Sequence, residues 1–277
     1  MKRIVLTVLL LITNIIVINA QEEFSIDKVN YTLLSDTEVM VSGSKMNDYG
    51  PTINTFKIPA EVTYGEKKYK VVKLGSSAFF NADVANFVIP ETVRVIGEGA
   101  FRSCPSLVSV TIPASVDSID FNAFEDSKKF TTFKVEANNN RYKVISGILY
   151  NKAGTELISC PTGKMGVVSI PASVKIIKKG AFYDCQKITG VTFANGLEII
   201  EEQGFARCFA LTRIVLPKSL KFIRTRAFDG CTSLQSVTMD YEVNGERRIF
   251  RNCHKLETLN FRLKNGSIKK VSAQNLK

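Results

Sequence analysis

Ile170-Pro171-Ala172-Ser173-Val174-Lys175-Ile176-Ile177 leads to Ala181-Phe182-Tyr183-Asp184-Cys185, and the chain then repeats itself. Phe193-Ala194-Asn195-Gly196-Leu197-Glu198-Ile199-Ile200 leads to Gly204-Phe205-Ala206-Arg207-Cys208, and Leu216-Pro217-Lys218-Ser219-Leu220-Lys221-Phe222-Ile223 leads to Ala227-Phe228-Asp229-Gly230-Cys231. Phe182, Phe205 and Phe228 stand 23 residues apart. A fixed period of this size is the signature of a solenoid or array. A module this short cannot bury its own apolar face, so it must bury it against the copies before and after it.

On either side of this block the phrase continues. Phe79, Phe101 and Phe124 precede it and Phe250 follows it, with steps of 22, 23, 23, 23 and 22 and one gap of 58 between Phe124 and Phe182. The count predicts seven rungs of a β-rich repeat solenoid over residues 73–261, with little helix. Within a rung, Leu211, Ile214 and Leu216 alternate with Thr212, Arg213 and Val215, the two-residue period of a half-buried strand. Residues 21–72 read as an N-terminal cap of short strands and hairpins, and 262–277 as a tail or C-terminal cap. The long gap predicts an insertion at about 131–165, in which Gly147–Tyr150 and Glu156–Ser159 flank Asn151-Lys152-Ala153-Gly154 as a hairpin.

Met1-Lys2-Arg3 and the apolar run from Ile4 to Ile18 resemble a secretory signal peptide over residues 1–20, with the mature chain starting at Gln21. The expectation is an exported protein, secreted, periplasmic or surface-associated, with no transmembrane span after cleavage. Formal charge is +11 for the whole sequence. It is unevenly placed: residues 206–277 hold fifteen Lys or Arg against five Asp or Glu, whereas 21–205 hold 20 against 21. Five of the six cysteines, Cys104, Cys185, Cys208, Cys231 and Cys253, fall three residues after a repeat Phe. Repetition therefore accounts for them as small buried thiols. Rungs about 4.8 Å apart bring such thiols near each other, but side chains pointing in parallel do not reach a disulfide torsion.

No pattern of catalysis is present. The single histidine, His254, has no nucleophile or carboxylate partner in sequence, and neither a phosphate loop nor metal-ligand spacing appears. The reading is of no catalytic, cofactor-binding or metal site. Two charge columns do emerge when rungs are aligned on their Phe: Arg94, Asp117, Lys175, Glu198 and Lys221 seven residues before it, and Asp120, Lys178, Glu201, Arg224 and Glu246 four residues before it. Their alternating sign predicts ion-pair ladders that hold register. Continuity of sign across the gap predicts that the insertion loops out and leaves the Asp117 and Lys175 rungs adjacent.

Two surfaces are candidates for binding. The outward positions of the strand before each Ile-Pro are Ser109, Thr111, Thr192, Arg213, Val215, Ser236, Thr238, Thr258 and Asn260, a polar column suited to contact with a protein or merely to strand surface. Arg247, Arg248, Arg251, Lys255, Arg262 and Lys264 form a basic group suited to sulfated or anionic glycans. Scarcity of interleaved aromatic residues, together with export, argues against nucleic acid.

Ile112-Pro113-Ala114-Ser115-Val116 and Ala100-Phe101-Arg102-Ser103-Cys104-Pro105-Ser106-Leu107, with the repeats quoted above, closely resemble the BspA-like leucine-rich repeats of bacterial surface and secreted proteins. Ala82 and Ser127 replace the Cys after Phe79 and Phe124, and Ile249 replaces the Ala before Phe250. The resemblance implies a right-handed leucine-rich-repeat stack acting by binding, without catalytic residues, in attachment to host matrix or other cell-surface proteins. The alternative is a polyanion or glycan binder acting through the basic C-terminal third.

Overall fold

The computed structural model describes residues 22–46 and 52–273, all strand and turn with no helix among them. The expected signal peptide lies outside the described residues. The chain coils through about eight turns, and a typical turn contributes one longer strand, one shorter strand and one Phe-centred corner. The longer strands run Ile53–Lys57, Val84–Val88, Ser109–Ile112 and Thr132–Val135 in one parallel sheet, then Met165–Ile170 beside Lys187–Phe193, then Arg213–Val215, Ser236–Asp240 and Thr258–Arg262. An antiparallel strand, Ile268–Ser272, closes this face. On the other face Glu38–Ser44 and Lys67–Leu74 lead to two-residue strands, Val95–Ile96 and Ser118–Ile119, and after the insertion Glu156–Ser159 leads to Ile176–Ile177, Ile199–Ile200, Phe222–Ile223 and Asn244–Gly245. Because Glu38–Ser44 and Ile53–Lys57 already pair in parallel with the next coil, the later part of the cap is itself a turn of the stack. The hairpin Glu23–Ile26 and Val29–Leu33 covers its edge.

The Phe corner explains the repeat. Rings stack along the axis at centroid distances of 5.6 Å for Phe79–Phe101 and 5.4 Å for Phe101–Phe124, then 4.6, 5.2 and 5.5 Å from Phe182 through Phe205 and Phe228 to Phe250. The residues two before and two after each Phe have positive φ, as at Asn122 and Asp126, Gly180 and Asp184, or Gln203 and Arg207. This left-handed conformation favours Gly, Asn and Asp, which is why those types recur there. The backbone of each corner is tied to the next, Phe79 N–H donating to Ala100 O at 2.7 Å and Phe205 N–H to Ala227 O at 2.7 Å.

The cysteines complete this corner. Four of the thiols donate to the carbonyl of the Phe one rung back: Cys104 to Phe79 at 3.2 Å, Cys208 to Phe182 at 3.2 Å, Cys231 to Phe205 at 3.1 Å and Cys253 to Phe228 at 3.0 Å. Ser127, which replaces a Cys, does the same for Phe101 at 2.8 Å. All six cysteines are free and buried, as the repeat position predicts for five of them. Cys160, the one that repetition left out, stands at the Phe position of an unforeseen rung: its N–H donates to Ala181 O and its carbonyl accepts from Cys185. The count of seven rungs is therefore corrected upward, because this turn lacks its Phe.

The insertion does contain the predicted hairpin, with Leu149 opposite Ser159 and Tyr150 opposite Leu157. It does not loop out. Thr132–Val135 adds to the long-strand face, and Glu156–Ser159 pairs with Ile176–Ile177, so the intervening chain is built into the stack. The Asp117 and Lys175 rungs are consequently not adjacent: Asp117 lies 3.6 Å from Arg141, and Lys175 N–H donates to Thr155 O. Further along, the ladders form. Glu198 lies 3.8 Å from Lys175 and 2.7 Å from Lys221, Lys178 lies 2.8 Å from Glu201, and Arg224 lies 2.7 Å from Glu246.

The inserted strand Ile148–Asn151 also divides the interior. Its alternating side chains point opposite ways, so Leu149 belongs to a core reaching back to Phe24, while Ile148 and Tyr150 belong to a core reaching on to Ala273. Phe124 packs on Phe130 and Phe133 instead of Phe182, which ends the first file of rings.

Candidate functional site

The long-strand face presents two outward columns. One runs Thr55, Asn86, Ser109 and Thr132, then Val167 and Gly190, then Arg213, Ser236, Thr258 and Ser272; the other runs Lys57, Val88, Thr111 and Lys134, then Ser169 and Thr192, then Val215, Thr238, Asn260 and Lys270. All nine residues expected to face outward do so, because Val110, Ile112, Ile214, Val237 and Leu259 between them are buried. Several are cross-linked along the column: Ser109 Oγ donates to Asn86 Oδ1 at 3.2 Å, Thr192 Oγ1 to Ser169 Oγ at 2.9 Å and Asn260 Nδ2 to Val237 O at 3.4 Å.

Of the apolar part of this face the sequence reading named only Val215. Val88 is 44% exposed, Val215 51%, Val167 63% and Met165 68%. Val167 stands fifteen residues before Phe182, as Gly190 and Arg213 stand before Phe205 and Phe228, so the period does place it in the first column, whereas Met165 lies two residues outside that register. The residue pattern Met165-Gly166-Val167-Val168-Ser169-Ile170 is the signal that was available. Isolated apolar residues on a surface need no explanation, but these lie on the same side of the coil, across three successive sheets, among hydroxyl and amide groups, the mixed chemistry of a protein contact.

The six basic residues do not form one patch. Arg262 is paired with Asp240 and also donates to Leu216 O at 2.7 Å, and Lys264 lies 2.7 Å from Glu242; both belong to the end of the long-strand face. Lys264 is held above its usual range by its hydrogen bond to Glu242. Arg247, Arg248 and Arg251 stand elsewhere, at the Phe corner of the last rung beside His254. Lys255 is exposed in the following turn.

A cleft of about 280 Å³ marks the seam between the two cores, lined in part by Asp120, Phe121, Glu125, Tyr142, Lys178 and Tyr183. Phe121 packs edge-on against Tyr183 at 5.9 Å and leaves no room for a side chain at Gly180, where a Cβ would stand 1.8 Å from its ring. Beside it Arg207 lies 3.7 Å from Glu125 of the first core and 3.4 Å from the buried Asp184 of the second. Burial raises both carboxyls above their ordinary range, with mutual repulsion adding to it at Glu125 and Arg207 opposing at both. Phe121, Glu125, Asp184 and Arg207 thus rivet the halves. Among the described residues no group of three or more His, Cys, Asp or Glu is placed to hold a metal, and no helix is long and apolar enough to cross a membrane.

Residues 72–163 and 160–276 match the family model described as BspA type Leucine rich repeat region. No curated protein matches the sequence significantly. Among solved structures the fold is similar to the pneumococcal vaccine antigen PcpA, with a TM-score of 0.51 at 15% identity over 90% of each chain. It is also similar to a leucine-rich repeat protein from Eubacterium ventriosum, with a TM-score of 0.51 at 19% identity over 86% of this chain and 84% of that one.

Proposed function

Because the chain belongs to the BspA-type leucine-rich repeat family, often surface proteins of the adhesion type, we propose that it is an exported, non-enzymatic binding protein that attaches to a host matrix or other cell-surface protein through its long-strand face. The observation that carries this reading is the exposure of Val88, Met165, Val167 and Val215 among Ser, Thr and Asn on the long-strand side of the coil, across three successive sheets. Parallel pairing, on both sides of Val84–Val88 and on one side of Met165–Ile170 and Arg213–Val215, holds these side chains in place, so a partner meets a preorganised surface and less side-chain entropy is lost on docking. The stack repeats the same offer over many rungs, which suits an elongated partner.

Binding of the full chain to immobilised matrix proteins tests the proposal, with Val167→Lys/Val215→Lys as the comparison. The double variant keeps its unfolding temperature, because both side chains face solvent, and loses affinity at least about tenfold, the scale of one or two well-placed apolar contacts. Since the contact is carried largely by apolar and neutral polar groups, wild-type affinity persists between about 50 and 200 mM salt. Equal binding by variant and wild type would remove the long-strand face from the proposal.

A further inference from the structure

We infer that the C-terminal end of the stack is a second binding site, for an acidic glycan chain, formed where the Phe corner runs out of rungs. In the interior corners other than that of Phe124 at the seam, the N–H of the Phe, and of the residue two further on, donate to the next turn: Phe205 to Ala227 and Arg207 to Asp229 at 2.7 Å, Phe228 to Ile249 at 2.9 Å and Gly230 to Arg251 at 2.8 Å. The equivalent N–H groups of Phe250 and Asn252 have no acceptor among the described residues. By the geometry of the repeat they face off the end of the stack.

These donors border an open hollow of about 790 Å³ whose lining includes Arg247, Arg248, Phe250, Arg251, Asn252 and His254. Its one carboxylate, Glu246, is already held by Arg224 at 2.7 Å and by Thr225 at 2.8 Å, an arrangement that keeps its pKa low and leaves it little to offer the neighbouring arginines. Arg262 and Lys264, by contrast, have Asp240 and Glu242 as counter-ions. Arg247, Arg248 and Arg251 thus meet at this corner as guanidinium forks over unused backbone donors. A sulfate or carboxylate group, with several acceptor oxygens in a plane or tetrahedron, fits both kinds of donor.

Phe250 selects between classes of polyanion. One face of its ring stacks on Phe228 at 5.5 Å, and, unlike the fully buried Phe182, Phe205 and Phe228, it stays partly exposed, with no later rung over it among the described residues. The C–H face of a sugar ring can lie on that surface while its acidic substituents meet the arginines; an acidic peptide offers the charge without the flat C–H face. This site is separate from the long-strand face, so each can fail without the other.

Calorimetric titration of the full chain with heparin, poly-glutamate and inorganic sulfate tests the inference. Heparin binds, weakens steeply between about 50 and 200 mM salt as counterions compete, and loses at least about tenfold in affinity in Arg247→Glu/Arg251→Glu, whose two side chains are exposed and whose unfolding temperature stays that of the wild type. The control Lys269→Glu/Lys270→Glu makes the same charge change on the neighbouring strand and leaves heparin affinity within about twofold. Equal losses in the two variants, or no heparin binding at low salt, would overturn the site; poly-glutamate binding as tightly as heparin would overturn the glycan assignment. Binding of inorganic sulfate as strong as that of heparin would likewise reduce the site to one for free anions.

Discussion

At most corners the Cys supplies a further donor to the Phe carbonyl one rung back; Phe182 O, which takes the Cys208 thiol, also accepts Cys185 N–H at 3.1 Å. Ser127 performs the same role with a hydroxyl, which is why this position drifts between the two types without loss of the fold. Burial pushes the Cys104 thiol up to about 12 and also raises Cys185, so the buried thiols are poor nucleophiles even where they lie on neighbouring rungs. Cys208→Ala removes the bond to Phe182 O and opens a small cavity, and denaturant unfolding is expected to register a loss of about 1–3 kcal/mol. Cys208→Ser keeps the donor and loses less. Should the two variants prove equally destabilised, the hydrogen bond would be irrelevant and packing volume alone would matter.

Between rungs, the charge ladders fix register where strands of two residues give little of their own. Glu198, hydrogen-bonded to Lys221, and Glu246, bonded to Arg224 and Thr225, both have their pKa lowered. A carboxylate held low in the fold stabilises it fully above the unfolded value of 4.5, and that contribution disappears as pH falls through the depressed native value. Glu198→Gln is therefore expected to melt below the wild type at neutral pH at low salt, and the two melting curves to converge on acidification below 4.5. Glu198→Lys puts three positive charges in line with Lys175 and Lys221, and its deficit should shrink as salt is added, because these groups are exposed and readily screened. A deficit that ignores salt would point to a packing effect instead.

For the molecule as a whole, the seam at the insertion is the place where nearest-neighbour stacking is interrupted, and its chemistry runs opposite in sign to the ladders. Glu125 and Asp184 have raised pKa values because they are buried, so the folded state prefers their protonated forms. Their stabilising effect is complete below the unfolded values of 4.5 and 3.8 and is lost as pH rises through the higher native values. Glu125→Gln should accordingly leave stability at pH 7 unchanged or improved and flatten its dependence on pH; a large loss at pH 7 would mean that the bridge to Arg207 outweighs burial. Gly180→Ala forces Phe121 out of its seat. With the halves less firmly joined, a one-dimensional stack unfolds in parts, and hydrogen exchange should separate the core of Phe79 and Phe101 from that of Phe205 and Phe228. A single cooperative transition in this variant would show that the seam transmits stability by other contacts.

The repeat, the β character, the inward and outward sides of each strand, the buried thiols and the ion pairs of the later rungs were all legible in the sequence. Each follows from residues one period apart, since in a stack such residues must be neighbours. The interval from Phe124 to Phe182 was settled only by the folded chain, because there the period fails and local pattern cannot say whether extra chain is expelled or built in. There Cys160 took a Phe position, Leu149 and Tyr150 turned to opposite cores, and Met165 joined the exposed face. The basic residues were sorted in three dimensions too, because neighbours in sequence such as Arg251 and Arg262 fall on different corners of the coil, one with a counter-ion and one without.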